Sequence, residues 1–306
     1  MWFYINDLRY INSLSLLVAM KSLVLLLVVA IFAEGSVLPG NTAFGYIEKS
    51  IVWAEKRRLL EEEQQSQRIV GGSPAALGEF PYQVGLLSNI VGNPFGTGLC
   101  GGSLLSANRV LTAAHCWFDG VNQAWRYIVV LGSITIYSGG TRIESTHVVM
   151  HPNWFPALVR NDIAVIYLPY SASFTNNIAP VSLPIGPELD ETFANDSAVA
   201  SGFGAVTNGS FASPTLNHVT LDIITNAACS PWFPITLRDT NICTSGAGTV
   251  GACLGDSGGP LVVERGSRRV GVTSFGPAAA IGCEGGAPTA YARVTSFISF
   301  IQQHLA

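Results

Sequence analysis

Charged residues are scarce in this chain, and lysine is absent from most of it. Of the 306 residues, 12% are charged and 48% are hydrophobic, and the net charge at pH 7 is −4. Because nucleic-acid binding requires cations that neutralise phosphates, this composition excludes a nucleic-acid partner. Lys21, Lys49 and Lys56 are the only lysines, whereas residues 69–306 carry nine arginines. Lysine titrates at about 10.4 and arginine only above about 12, so this absence favours a protein that works in alkaline fluid.

Metal-binding patterns and internal repeats are missing as well. No C-x₂-C spacing occurs, and the segment Gly132–Glu144 holds a single acidic residue. We therefore expect neither a metal ion nor another cofactor. No segment of the chain repeats another, which argues against a solenoid.

The N-terminal residues have the features of a cleaved secretion signal. Lys21 precedes the apolar run Ser22–Ala33, and a small-x-small sequence follows it. The predicted signal covers 20–35, and 1–19 would then be an over-extended start. A membrane-spanning signal anchor is the alternative, because Leu14–Ala33 approaches the length of about twenty apolar residues that a span requires. Lys21 interrupts that run, which favours secretion to the extracellular space.

Beyond residue 68 the chain changes to short apolar runs that are separated by Gly, Pro, Asn and Ser, a pattern typical of an all-β sandwich or barrel. The predicted strands are Gln83–Leu87, Arg109–Ala113, Tyr127–Leu131, Ile163–Leu168, Val199–Gly202, Val219–Ile224, Leu261–Glu264 and Arg269–Ser274. Apolar residues recur at helical spacing only near the end, over about 295–305, where Thr295 or Ser296 could cap a helix.

Three motifs carry residues suited to nucleophilic catalysis. The glycine-rich loop Gly251–Pro260 holds Ser257, and a serine needs a neighbouring base and oxyanion donors before it can attack a carbonyl. The sequence T-A-A-H-C places His115 directly after an apolar strand. The sequence N-D-I-A-V places Asp162 at the start of another strand, where a carboxylate must be paired or hydrogen-bonded. The three residues therefore follow one another in the order His, Asp, Ser.

These motifs, together with the sequence R-I-V-G-G at 68–72, resemble the chymotrypsin family of serine endopeptidases over residues 69–306. The resemblance implies that Ser257 is the nucleophile and that His115 is first the general base and then the general acid. It implies that Asp162 orients the imidazole and stabilises its charged form. The implied activity is hydrolysis of peptide bonds.

The resemblance extends to the groups around the nucleophile. It implies that the N–H groups of Gly255 and Ser257 form the oxyanion hole. Ser274 would support the aspartate of the triad. Ser274, Phe275 and Gly276 would pair with an extended substrate as an added strand.

The resemblance implies an all-β fold of two packed six-stranded Greek-key β-barrels with a C-terminal α-helix. The first barrel would cover about 69–185, the second about 186–290 and the helix about 295–305. Six cysteines in a secreted chain indicate disulfide bonds, although their spacing leaves the pairing open. The family resemblance implies the pairs Cys100–Cys116, Cys229–Cys243 and Cys253–Cys283.

A polar, helix-prone segment without cysteine, 36–68, ends at Arg68 directly before Ile69. By resemblance this segment is an activation propeptide, which a trypsin-like protease removes by cutting after Arg68. The new α-ammonium of Ile69 would then pair with the carboxylate of Asp256, a buried charge that lacks a partner before the cut. We therefore expect a zymogen.

Three residues predict the specificity pocket. Gly251 stands where trypsin-like members carry an acid at the pocket base, so a bound lysine or arginine would find no counter-charge. Gly276 leaves one pocket wall open, which favours cleavage after Phe, Tyr or Leu. Thr289 would narrow the pocket from the facing wall. Cleavage after large apolar residues is our expectation, and an elastase-like or broad collagenolytic specificity is the alternative.

The chain resembles arthropod digestive chymotrypsins and related collagenolytic enzymes in the length of the segment Pro277–Gly282. The resemblance implies protein or peptide substrates, an activating trypsin-like protease and proteinaceous inhibitors as partners. It implies a monomer in a gut lumen of alkaline pH. A catalytically idle, protease-like binding protein is the alternative of another class. Such proteins usually lack a triad residue, whereas all three are present here.

Overall fold

Strands make up most of the regular structure in the computed structural model of the chain, which describes residues 71–277 and 281–305, without the side chains of 94–96. All of these residues lie in one of the two compact units of the chain, Asn41–Ala306. The predicted signal, the predicted propeptide and the proposed cut between Arg68 and Ile69 lie outside the described residues.

Each of the eight predicted strands overlaps a strand of the structure. The strands are β1 (Ser73–Pro74), β2 (Gln83–Ile90), β3 (Asn93–Ser106), β4 (Arg109–Thr112), β5 (Ala124–Leu131), β6 (Thr141–Ser145), β7 (His147–Met150), β8 (Ala164–Tyr167), β9 (Ser197–Gly202), β10 (Asn217–Ile224), β11 (Asn241–Thr244), β12 (Pro260–Val263), β13 (Arg268–Phe275) and β14 (Thr289–Arg293). The α-helices are α1 (Asn226–Cys229) and α2 (Ile298–Gln303), and 3-10 turns span Ala114–Cys116, Pro156–Leu158, Gly186–Asp190, Arg265–Ser267 and Val294–Phe297.

The described strands form two antiparallel sheets of seven strands each, rather than the six that we predicted for each barrel. The first sheet has the order β6-β5-β2-β3-β4-β8-β7, and only Thr146 separates β6 from β7. This one extended segment pairs with both edges and closes the barrel. In the second sheet β9 pairs with β10 and closes a ring of six strands. The seventh strand, β1, only extends β10, so each barrel is built on six strand positions.

β1 also crosses the predicted boundary between the barrels. We assigned 69–185 to the first barrel, but Ser73 and Pro74 pair with His218 and Asn217 of β10 in the second. The first described residues therefore lie against the C-terminal barrel. This crossing brings the start of the domain to the side of the molecule that carries Ser257.

The C-terminal helix packs on the first barrel, although it follows the last strand of the second. Phe297, Phe300 and Ile301 belong to the same buried cluster as Leu104 and Val110 of the first barrel. The predicted cap is wrong, because Thr295 and Ser296 lie inside the 3-10 turn Val294–Phe297, which leads directly into α2. The helix thus begins from a turn that is already wound, without a side-chain cap.

The six cysteines form three disulfides, and their pairs are those that the family resemblance implies: Cys100–Cys116, Cys229–Cys243 and Cys253–Cys283. The first joins β3 to the turn that contains His115, and the third joins the Ser257 loop to the segment after β13. Each closes a loop of 14 to 30 residues, which constrains the unfolded chain by about 3 kcal/mol. None of the described helices is both long and apolar enough to span a bilayer.

Candidate active site

Strand pairing brings His115 and Asp162 together. β4 pairs with β8, with Thr112 opposite Ala164, so the turn after β4 and the residues before β8 meet at one edge of the first barrel. There the Nδ1 atom of His115 lies 2.7 Å from Oδ2 of Asp162. The backbone N–H of His115 donates to Oδ1 of the same carboxylate over 2.9 Å. Both side chains are buried, so water does not compete for these two hydrogen bonds.

A β-bulge in the second barrel positions Ser274, whose hydroxyl is the third donor to the carboxylate of Asp162. The register between β13 and β14 shifts between Thr273 and Phe275, which re-aims Ser274 between them. The hydroxyl of Ser274 donates to Oδ2 of Asp162 over 2.5 Å. Asp162 therefore accepts three hydrogen bonds, which offset the desolvation of its charge. Since Nδ1 of His115 donates to Asp162, the neutral imidazole presents an unprotonated Nε2.

The nucleophile loop meets the imidazole at the Cys100–Cys116 disulfide. Sγ of Cys116 lies 3.8 Å from Nε2 of His115 and 3.5 Å from the carbonyl oxygen of Ser257. The Oγ atom of Ser257 is buried and has no hydrogen-bond partner in the described part of the chain. The Cys116 sulfur thus contacts both the imidazole and the backbone of Ser257, and a hydrogen bond between a catalytic hydroxyl and its base often forms only with substrate bound.

The same sulfur atoms exclude a metal site here. The ligand atoms of Cys100, His115 and Cys116 lie within 4.8 Å of one another. Both cysteines are joined in a disulfide and offer no thiolate to a metal ion.

Two backbone N–H groups of the loop are available to a ligand. Within residues 71–277 and 281–305, the N–H groups of Gly255 and Ser257 donate to no acceptor, whereas that of Asp256 between them donates to the carbonyl of Cys253. Gly255 has a φ of +101°, which side chains rarely allow. The loop thus leaves two N–H groups, one on each side of Asp256, without an acceptor close to the Ser257 hydroxyl, an arrangement that suits an oxyanion.

Asp256 points in the opposite direction, into the second barrel. Its carboxylate is fully buried and accepts hydrogen bonds from the N–H groups of Gly204, over 2.7 Å, and Cys253, over 2.9 Å. A Cβ atom on Gly202 or Gly204 would overlap the carboxylate, so only glycine fits at either position. Burial raises the pKa of Asp256 to about 6, because the two amides offset only part of the desolvation. No cationic side chain among the described residues pairs with it.

The predicted pocket residues lie on three segments: Gly251 in the loop before Ser257, Phe275 at the end of β13 and Thr289 at the start of β14. A Cβ atom on Gly251 would lie 3.1 Å from Oγ1 of Thr289, so these two positions face each other. Thr289 is buried at the start of β14. Phe275 is also buried, and its ring meets that of Phe233 edge-on at 5.2 Å inside an apolar cluster. Phe275 can therefore reach a substrate only through its main chain, which agrees with the predicted strand-like pairing.

A family model described as trypsin matches residues 69–301. The chain belongs to the trypsin family. It is 36% identical to a collagenase of Hypoderma lineatum, over 79% of this chain and 89% of the relative. It is 38% identical to brachyurin of Leptuca pugilator, over 76% of this chain and 97% of the relative.

A solved structure agrees with these sequence relatives. The structure of HL collagenase matches this trypsin-family chain with a TM-score of 0.71 and 35% identity, over 78% of this chain and 98% of that one. The two-barrel, all-β fold is confirmed. The protein is a trypsin-family serine endopeptidase, as its motifs predict.

One residue of this trypsin-family domain was missed in the sequence. Arg269 is fully buried and donates to the carbonyl oxygens of Gly258 and Gly259, directly after Ser257. It lies within the predicted strand Arg269–Ser274, where an arginine is read as an exposed edge residue. The only sequence feature that could have indicated its burial is its position next to apolar residues such as Val270 and Val272, which are buried.

Proposed function

We propose that Ser257, His115 and Asp162 carry out peptide-bond hydrolysis. Oγ of Ser257 attacks the scissile carbonyl carbon while Nε2 of His115 takes its proton. The N–H groups of Gly255 and Ser257 then donate to the oxyanion of the tetrahedral intermediate. The imidazolium returns the proton to the leaving amine, and water releases the acyl group by the same steps in reverse. The observation that carries this proposal is the buried hydrogen-bonded chain Ser274–Asp162–His115, which Cys116 connects to Ser257, whose hydroxyl has no partner in the described chain.

Removal of single side chains tests this proposal. Ser257→Ala and His115→Ala should each lower kcat by about 10⁶-fold, because the triad residues act as a unit. Ser138→Ala, which removes an exposed loop hydroxyl, is the matched control and should leave kcat unchanged. Hydrolysis of a casein substrate by Ser257→Ala at the wild-type rate would contradict the proposal, whereas no hydrolysis by the wild-type chain cut after Arg68 would favour an idle, binding-type protein.

The chain is proposed to be a secreted zymogen with a signal at 20–35 and a propeptide at 36–68. The support is the buried Asp256 carboxylate, whose described partners are two amides and no cation. Gly71 packs so closely on Val250 that a Cβ atom there would collide with the valine side chain. Ile69 is two residues earlier, about 7 Å of extended chain away, so its new ammonium could reach the loop of Asp256. Arg68→Gln should leave the chain inactive after trypsin treatment; full activity in that variant would refute the switch.

Cleavage after Phe, Tyr or Leu is the specificity that we propose. The support is the pair Gly251 and Thr289, since a pocket without an acid at Gly251 cannot balance a basic substrate side chain. Rates on matched peptide anilides that end in Phe, Leu, Ala and Arg test this. A value of kcat/KM that is highest for Arg would overturn the proposal, and one that is highest for Ala would favour the elastase-like alternative.

A collagenolytic specificity is the second candidate, and two observations favour it. One relative is named a collagenase, and the matching solved structure carries the same name. Native fibrillar collagen at a temperature below its melting point is the discriminating substrate. Triple-helical fragments that accumulate with wild-type enzyme and not with Ser257→Ala support this candidate; cleavage of gelatin alone excludes it.

We propose that the enzyme acts as an extracellular digestive monomer in alkaline fluid. Three disulfides suit an oxidising compartment. The lysine-free domain keeps its positive charges where lysine would lose them. Loss of activity above about pH 10, with an optimum near neutrality, would contradict this setting. Its expected partners are an activating trypsin-like protease and protein inhibitors. Analytical ultracentrifugation of the cut enzyme tests whether it is a monomer.

A further inference from the structure

The guanidinium of Arg269 lies in the interior between the two barrels, without an acidic partner. Its side chain is fully buried, and among the described residues no carboxylate lies within ion-pair distance of it. The preceding Arg268, by contrast, is half-buried at the surface and pairs with Glu188. Burying a charge without a counter-ion is costly unless its donors are all satisfied. The contacts of Arg269 are therefore informative.

The five contacts of Arg269 come from both barrels. In the first barrel Nη1 donates to the hydroxyl of Ser103 in β3 and, over 3.2 Å, to the carbonyl of Leu111 in β4. In the nucleophile loop Nη2 donates to the carbonyls of Gly258, over 3.1 Å, and Gly259, over 3.5 Å. Nε donates to the carbonyl of Gly271 in its own strand over 3.2 Å. The planar fork of a guanidinium suits several acceptors in fixed directions, which an ammonium cannot match.

The acceptors of Arg269 stand next to the two reacting residues. Gly258 directly follows Ser257, and Leu111 lies in β4, four residues before His115 in the turn that follows this strand. The loop at this point is packed on bare backbone, since a Cβ atom on Gly258 would collide with Thr112 and one on Gly259 would lie 2.7 Å from the carbonyl of Asp256. In this packing the buried carbonyl of Gly258 requires a donor, while that of Gly259 also accepts from the N–H of Thr273. Arg269 supplies that donor to both sides at once.

We propose that Arg269 is a positioning residue, which sets the approach of Ser257 to His115 by clamping the nucleophile loop to β4. This inference rests on the proposed roles of Ser257 and His115. Catalysis depends on the separation of two groups that come from different barrels, and a misplacement of about 1 Å costs about 10²-fold in rate. In the described chain Arg269 makes no hydrogen bond to the proposed pocket residues Gly251 and Thr289, so substrate binding should not depend on the clamp.

Kinetics of active-site variants test the clamp. Arg269→Met should lower kcat by about 100-fold, per mole of enzyme titrated with a fluorophosphonate, with KM within about twofold of wild type. Arg269→Lys keeps the charge but cannot bind both barrels, so kcat should fall by about tenfold. If Arg269→Met yields no folded protein, Arg269→Lys decides alone. A titrated kcat within threefold of wild type in the variant that decides would overturn the proposal.

Two controls separate positioning from simple stability. Arg268→Met removes the neighbouring surface arginine and should leave kcat unchanged. Val270→Ala makes a cavity in the core of the second barrel and should lower Tm with kcat retained. If Val270→Ala loses as much titrated kcat as Arg269→Met at an equal loss in Tm, the role of Arg269 is only structural. Activity of Ser257→Ala, tested separately, would instead refute the proposed function.

Discussion

Two buried aspartates lie near Ser257, and they are satisfied to different degrees. Asp162, between the barrels, accepts hydrogen bonds from the imidazole and the N–H of His115 and from the hydroxyl of Ser274. Asp256, inside the second barrel, accepts only two backbone N–H groups, and burial raises its pKa to about 6. Among the described residues, Asp162 thus has side-chain partners on both barrels, whereas Asp256 has two amide partners and no cation. Under the proposed function, the fold alone completes the hydrogen bonds of Asp162, whereas the pairing of Asp256 would depend on the new α-ammonium of Ile69.

Between these two aspartates, the larger loss of activity is expected for a substitution at Asp162. Asp162→Asn keeps the shape of the side chain but no longer fixes Nδ1 of His115 as a donor. The cut enzyme should lose about 10⁴-fold in kcat, with KM little changed. Single-turnover kinetics on a Phe anilide measure this. A loss below tenfold would show that the tautomer of His115 does not depend on Asp162.

A substitution at Asp256 should lower activity by a smaller factor, and only in the cut enzyme. Asp256→Asn would leave the ammonium of Ile69 buried without its counter-charge, at a cost of about 3–5 kcal/mol. The activity of the cut enzyme should therefore fall by about 10²- to 10³-fold. In the uncut chain, locked by Arg68→Gln, the same Asp256→Asn substitution should not impair folding. Circular dichroism and anilide hydrolysis before and after the cut separate the two states. Equal activity of Asp256→Asn and wild type after complete cutting would contradict this account of the switch.

The pKa of Asp256 gives a dependence of precursor stability on pH. The folded pKa of about 6 lies above the ordinary 3.8, so the folded state binds this proton more tightly than the unfolded state does. The free energy of unfolding should therefore fall as the pH rises from about 4 to about 6, by about 3 kcal/mol from this group, and then level off.

Urea titrations at pH 4 and pH 7.5 measure this dependence. The precursor locked by Arg68→Gln should lose about 3 kcal/mol more than the same precursor with Asp256→Asn added. Because both proteins contain all other titrating groups, the contributions of those groups cancel in the difference between the two losses. Equal losses in the two proteins would show that Asp256 is not strained before the cut.

The smallest expected effect concerns the pocket. Thr289→Gly removes the side chain that faces Gly251, so the ratio of kcat/KM for Phe over Ala anilides should rise by about tenfold. Thr289→Ser, which retains the Oγ atom, is the matched control and should change the ratio by less than about threefold. An unchanged ratio in Thr289→Gly would place the size limit of the pocket elsewhere.

The motifs predicted residues that the structure brings together, as His115 and Asp162 are, whereas propensity missed several strands. His115, Asp162 and Ser257 are recognisable because their chemistry tolerates few substitutes. β3 was missed, since its sequence N-P-F-G-T-G-L-C-G-G-S-L-L-S mixes glycine, proline and polar residues with apolar ones. Its glycines are needed for close packing, as Gly101 lies against Gly259 of the nucleophile loop. β6 and β7 were missed because they are short and partly exposed.

Arg269 was missed for a different reason. Its five acceptors are carbonyl and hydroxyl oxygens from four segments, namely β3, β4, the nucleophile loop and β13, and no local sequence pattern predicts that these segments meet. Ser274 was predicted only through the family resemblance, because its orientation depends on a bulge between Thr273 and Phe275. Contacts that join the two barrels are set by tertiary packing, so they are the part of the site that sequence patterns do not contain.

Fluorophosphonate labelling with peptide mapping tests the central claim most directly. Wild-type chain, cut after Arg68, should be labelled at Ser257 and at no other residue, and His115→Ala should abolish the reaction. The uncut Arg68→Gln chain should react at Ser257 at least about 100-fold more slowly, because its oxyanion loop lacks the support of the Ile69–Asp256 pair. Equal labelling rates in cut and uncut chains, or a label on a residue other than Ser257, would contradict the account.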